Sequence, residues 1–116
     1  MKKTIYFRVD ADQGRYSGFG HLARILQLYF FLKAKFTKKF DFTFLVKKNV
    51  PSIKFLKKKC KEKILFYSEK KMKKISFNPE DIFIIDTLGI EKNLVKIINK
   101  FNIKKKISFD EINTKL

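Results

Sequence analysis

Strand-like and helical segments alternate along these 116 residues, and that alternation predicts an α/β domain: a parallel sheet of about five strands with helices on both faces. Two further observations point the same way. Ile82-Phe83-Ile84-Ile85 is a continuous apolar run, the pattern of a strand buried on both sides rather than one half exposed to water. Acidic residues recur just after strand-like segments, where parallel sheets gather their ligand-binding groups.

Each element has its own local reason. Residues 4–9 are β-branched and aromatic and read as the first strand. Residues 10–19 hold Asp, Gly and Ser and read as a loop. From Gly20 to about Lys35, apolar residues fall at Leu22, Ile25, Leu26, Tyr29, Phe30 and Leu32, which predicts a helix with one broad buried face. Phe40 to Val46 is a second strand, and Pro51 suits the first turn of a helix through about Lys59, with Ile53 and Leu56 facing inward. Ile64 to Tyr67 is a third short strand. Residues 68–80 are charged and irregular, with a turn at Asn78-Pro79. After Ile82–Ile85, residues 90–101 form an amphipathic helix through Ile90, Leu94, Ile97, Ile98 and Phe101, and Ile107 to Phe109 is the fifth strand.

The length suits one domain with a real core, and an apolar fraction of 45% excludes a disordered tail. The opening Met1-Lys2-Lys3 imitates a signal peptide, but Arg8 ends the apolar stretch that follows. No run reaches the roughly 20 apolar residues of a membrane span. The single cysteine, Cys60, has no partner for a disulfide and no CxxC spacing. The expectation is a cytoplasmic chain without structural zinc.

The net charge of +17 is unevenly spread. Residues 31–78 hold sixteen basic and three acidic groups, whereas residues 79–116 hold seven and six. Such an excess suits an anionic membrane surface or nucleic acid. Only three of the 28 basic residues are Arg, the side chain that most often reads bases and phosphates, so nucleic acid is the weaker of these partners. A solvated, lysine-biased surface with no partner explains the same numbers.

The loop from Asp10 to His21 carries most of the functional information. Gly18 and Gly20 allow close backbone approach, and the loop runs straight into a helix whose unpaired N–H groups favour an anion or a developing negative charge. His21, the only histidine, falls in that first turn. The positive helix end is expected to disfavour imidazolium, leaving a neutral ring able to take a proton from water. A histidine that caps or packs locally is the plainer alternative. Asp10 and Asp12 follow the first strand, Asp86 the fourth, and Asp110 and Glu111 the fifth. Each alone could be a cap or turn former, but together they mark one edge. Gly18-Phe19-Gly20-His21-Leu22-Ala23 also fits the G-x-G-x-x-A dinucleotide pattern. In that pattern, however, the first glycine follows its strand closely and the second strand ends in an acid. Here several residues intervene, and Val46 is followed by Lys47-Lys48, which would suit only a 2′-phosphate.

Arg8-x-Asp10 followed by Gly18-Phe19-Gly20-His21-x-x-Arg24 resembles the opening of the UDP-sugar hydrolases of pseudaminic acid biosynthesis. These are grouped with spore-coat polysaccharide biosynthesis proteins and MurG-like GT-B glycosyltransferases. Asp81-Ile-Phe-Ile-Ile-Asp86-x-x-Gly89 and Lys106-Ile-Ser-Phe-Asp110-Glu111 are similar to the family's IIDxYG and SFDD segments, in the same order. The resemblance implies two Rossmann-like lobes facing across a cleft, with this chain as the N-terminal one, residues 1–116. The lobe that would hold UDP is then a further part of the protein or a separate polypeptide. His21 would act as general base, with water attacking the anomeric carbon and UDP leaving without a metal or cofactor. Asp10 would assist it, and Arg8, Asp12, Gly18, Gly20, Arg24, Asp86, Gly89 and Asp110 would line the substrate.

The sequence departs from the family in three ways. The loop before the glycines is longer, so that either Asp10 or Asp12 takes the acidic position. Thr87-Leu88-Gly89 lacks the aromatic hydroxyl that the family often carries. The 116 residues match only the first lobe of the family, so the isolated chain is expected to fold marginally and turn over little substrate. Two alternatives stand beside the hydrolase: a glycosyltransferase lobe with a sugar as acceptor, and a non-catalytic basic module that binds an anionic surface or a partner protein.

Overall fold

In the computed structural model, which describes residues 3–9, 20–47, 50–86 and 92–109, five strands form one sheet in the order β3-β2-β1-β4-β5. They are β1 (Lys3–Val9), β2 (Phe40–Val46), β3 (Lys63–Phe66), β4 (Ile82–Asp86) and β5 (Lys105–Ser108). Every pairing is parallel. Four helices connect them: α1 (Gly20–Phe36), α2 (Val50–Lys59), α3 (Glu69–Met72) and α4 (Lys92–Lys100). The α/β class and the parallel sheet with helices on both faces are as the alternating sequence predicts.

β1 runs through the centre, with Phe7 beside Phe44 on one side and Ile84 on the other. Its side chains alternate between two cores, as a strand buried on both faces must. Ile5, Phe7 and Val9 join Phe42, Phe44, Val46 and Ile84 under Leu22, Ile25, Leu26 and Tyr29 of α1 and Leu56 of α2. Tyr6 turns the other way and joins Leu45, Phe83 and Ile85 over Met72 of α3 and Leu94 and Ile98 of α4. Both cores are rich in aromatic contacts. Phe7 stacks on Phe44 with centroids 5.0 Å apart, and Tyr6 stacks on Phe83 at 4.8 Å, near the favoured separation for offset rings.

Three local expectations need correcting. Phe30, counted with the buried face of α1, is 49% exposed, as is its neighbour Phe31 at 55%. The buried stripe runs instead through Leu22, Ile25, Leu26 and Tyr29, because a helix on a sheet buries only the arc that faces it. Residues 68–80 are not wholly irregular. Ser68 caps a single turn, its hydroxyl accepting the Lys71 backbone N–H at 3.1 Å, and that turn drops Met72 into the core. The fifth strand starts at Lys105, two residues before Ile107, since an edge strand leaves its lysines in water.

Asp81 closes the entry to β4. Its carboxylate accepts the backbone N–H groups of Asn78 and Thr4, each at 2.9 Å. It thereby pins the turn at Asn78-Pro79 to the start of β1. At the far end of α1, the Tyr29 hydroxyl donates to Glu62 at 2.5 Å, and Lys33 pairs with the same carboxylate. No helix among the described residues is long and apolar enough to cross a membrane.

Two measurements test this packing. Leu56→Ala removes a fully buried side chain and lowers the unfolding free energy by about 2–5 kcal/mol, whereas Phe31→Ala changes it by roughly 0.5 kcal/mol or less, as read by urea denaturation. The second concerns alkaline pH. Burial holds the phenols of Tyr6 and Tyr29 neutral above their ordinary 10.0, helped by the charge of Asp81 at Tyr6 and by the hydrogen bond to Glu62 at Tyr29. The native state keeps protons that the unfolded chain loses. Stability is therefore complete below that value and falls as pH rises through and beyond it. Urea midpoints measured across this range decline, and they decline less in Tyr29→Phe.

Candidate functional site

From β1 the chain works outward through β2 to β3, with α1 and α2 on one face. It then returns to set β4 against the other side of β1 and continues to β5, with α4 on the opposite face. The connections diverge between β1 and β4, which makes the carboxyl ends of those two strands a topological switch point, the usual place for a ligand crevice in such sheets. Val9 and Asp86 are paired there, next to the pair Arg8 and Ile85.

Asp86 ends β4 on the face covered by α1, and α1 supplies its partner. Arg24 donates from Nε to Oδ2 at 2.8 Å and from Nη2 to Oδ1 at 2.6 Å. This is a bidentate fork in which the two planar groups fix each other's orientation. Asp86 is wholly buried, while the Arg24 side chain stays 39% exposed. The Phe109 ring lies 5.6 Å from the guanidinium carbon, and the Phe109 N–H bonds the Ile85 carbonyl at 2.9 Å. One pair thus joins α1, β4 and the end of β5 at the carboxyl edge. Helix side chains lean toward the amino terminus, which carries Arg24 back toward the first turn of α1. Gly20 opens that helix and residue 21 follows it, so its N–H groups and partial positive charge sit at the same edge.

Arg8 lies at this edge too, but on the other face of the sheet. It is fully buried. Its Nη1 donates to the Leu45 carbonyl at 3.1 Å and to the Val9 carbonyl at 3.3 Å, and its guanidinium carbon stacks 4.1 Å from the centre of the Tyr67 ring. These contacts tie the ends of β1 and β2 together and give Arg8 a positioning role beneath the edge.

Of the residues singled out from sequence, the structure brings together Arg24, Asp86 and the helix start at Gly20, with Arg8 behind them. Asp10, Asp12, Gly18, Gly89 and Asp110, and the side chain of His21, lie outside the described residues. Tyr67 and Phe109, each stacked on an arginine, were not anticipated. The available signal was an aromatic residue directly after an edge strand, but that signal fits ordinary core packing equally well. Among the described residues no three His, Cys, Asp or Glu side chains group as metal ligands. A cavity of about 390 Å³ lies between Lys3, Phe40, Glu80, Asn102 and Lys105. It opens at the amino ends of the strands, the edge opposite Arg24 and Asp86. The long stretch from Val9 to Gly20 also differs from the tight turn of a dinucleotide fingerprint.

The domain is thus a Rossmann-like parallel α/β unit with an ordered ion pair at its switch point. No family model, curated protein or solved structure matches the chain.

The ion pair makes an asymmetric prediction. Arg24→Ala takes the bidentate fork from a wholly buried carboxylate and lowers the unfolding free energy by about 3 kcal/mol. Asp86→Asn leaves a guanidinium that already reaches water and costs about 1–2 kcal/mol. Urea unfolding of both variants reads the difference, and equal losses would mean that the pair is not what holds Asp86.

Proposed function

We propose that this chain is the N-terminal lobe of a nucleotide-sugar hydrolase. The reading resembles UDP-2,4-diacetamido-2,4,6-trideoxyhexose hydrolysis in pseudaminic acid and surface-glycan biosynthesis. The observation that carries it is the convergence of the Gly20 helix start with the Arg24–Asp86 pair at the β1–β4 switch point. That is where a sugar presented by a facing lobe of a GT-B architecture would enter.

In this reading His21 takes a proton from water as the water oxygen bonds to the anomeric carbon. The carbon–oxygen bond to the phosphate breaks, and the electron pair leaves with UDP. The α1 amino terminus opposes charge building on the departing phosphate. Arg24, held in orientation by Asp86, adds a fixed positive charge beside the substrate. Asp10 or Asp12 orients the base or binds sugar hydroxyls. A facing lobe supplies most of the nucleotide binding energy, so the assay joins the chain to whatever lobe accompanies it. A related transferase would carry out the same displacement with a sugar hydroxyl in place of water.

The test is UDP release from UDP-linked 2,4-diacetamido sugars. His21→Ala lowers turnover by about 10²–10⁴-fold with substrate binding retained, the range expected for loss of a general base. Release that is unaffected by His21→Ala would overturn the assignment. A sugar acceptor that outcompetes water would convert the reading to a transferase.

A further inference from the structure

The flank of the molecule around β3 has no part in the proposed reaction, yet it gathers ten of the 28 basic residues. Every lysine from Lys54 to Lys74, ten in all, is exposed. β3 is an edge strand, with α2 packed on one face of the sheet and α3 on the other, so these lysines surround a single side of the domain. The only two acids within that span are both engaged. Glu62 is held by Tyr29 and Lys33, and Glu69 accepts from Asn93 at 2.5 Å. Two carboxylates against ten ammonium groups leave the flank strongly positive.

Apolar side chains interrupt this surface in an unusual way. Phe66, at the end of β3, is 37% exposed, with the Lys71 ammonium 5.1 Å from its ring centre. Phe30 and Phe31 on the outer side of α1 are about half exposed, and Lys35 lies 4.6 Å from the Phe31 ring. The bonds from Tyr29 and Lys33 to Glu62 bring this part of α1 to the approach to β3. Lysines beside protruding phenylalanines match an interface with negative headgroups above and an apolar layer below. A nucleic acid would use the charge but would prefer guanidinium forks for its phosphates and bases. Here Arg8 is buried and Arg24 is clasped by Asp86.

We infer that the β3 flank, with Phe30 and Phe31, docks the protein on an anionic phospholipid surface. The contact is peripheral: the lysines draw the domain to the headgroups, and the phenylalanines enter the layer beneath them.

The experiment is co-sedimentation of the full chain with vesicles of phosphatidylcholine alone and of phosphatidylcholine mixed with phosphatidylglycerol. Binding to the mixed vesicles exceeds binding to the neutral ones by at least about tenfold and weakens as salt is raised. The double variant Phe30→Ser, Phe31→Ser changes exposed positions and so keeps the fold, checked by circular dichroism. It loses about tenfold in binding to the mixed vesicles, while its weak retention on duplex DNA is unchanged. Lys57→Glu with Lys58→Glu weakens both. Failure to bind the mixed vesicles at low salt, tighter binding to DNA than to lipid, or indifference of vesicle binding to the phenylalanine variant would each overturn the inference.

Discussion

The position of β1 governs the rest of the structure. A strand paired in parallel on both sides has no solvent edge, and helices close both of its faces, so from Ile5 to Val9 every side chain it carries is buried. Ile5, Phe7 and Val9 find it under α1 and α2, and Tyr6 finds it over α3 and α4. Arg8 is the exception in chemistry though not in burial. A cation at that place is tolerable only with acceptors at hand, and the carbonyl ends of β1 and β2, with the Tyr67 ring, provide them. The burial that fixes the register of β1 also places its carboxyl end beside that of β4. The switch point is thus a consequence of the same constraint as the core.

Arg24 and Asp86 convert that topology into a local geometry. Their positions are 62 residues apart in sequence and meet only because α1 lies over the β1–β4 boundary. Desolvating the carboxylate is costly, and the fork is what makes it tolerable. The exposed part of the arginine keeps the pair in touch with solvent at the strand ends. A charge held this way presents one orientation to a ligand and loses little freedom on binding, which is the condition for useful electrostatic assistance. Arg8 serves the same edge from behind, by holding strand ends rather than by reaching outward.

The sequence made the elements legible because their patterns were strong. The Ile82–Ile85 run, the 3.6-residue spacing from Leu22 to Tyr29 and the aromatic β2 each correspond to one element with nearly the expected bounds. The edge bearing Asp86 was legible for the same reason, since a polar residue ending an apolar run falls where the strand ends. Strand order was not, because no local pattern states which strands are neighbours. Phe30 was misplaced since one apolar residue on a helix resembles another until the sheet defines the buried arc. The α3 turn is too short for periodicity and depends on Ser68 as a cap. The Arg24–Asp86 and Tyr29–Glu62 pairs are products of tertiary contact and have no sequence period at all.

The division of charge follows from the same architecture. At the carboxyl ends of β1 and β4 the described cations include Arg8 and Arg24, each bonded to particular acceptors. On the β3 flank they are lysines with few partners. Screening at physiological salt acts over about 8–10 Å, so charges exposed around β3, two strands from β1, act only weakly on the Arg24–Asp86 pair. They can still raise the local density of anions around the whole protein. Two arrangements of positive charge thus share one domain: guanidinium groups bonded in place at the strand ends, and exposed ammonium groups on the β3 flank. β3 closes one side of the sheet while Arg24 and Asp86 lie at the carboxyl ends of the strands, so the two arrangements occupy separate parts of the domain.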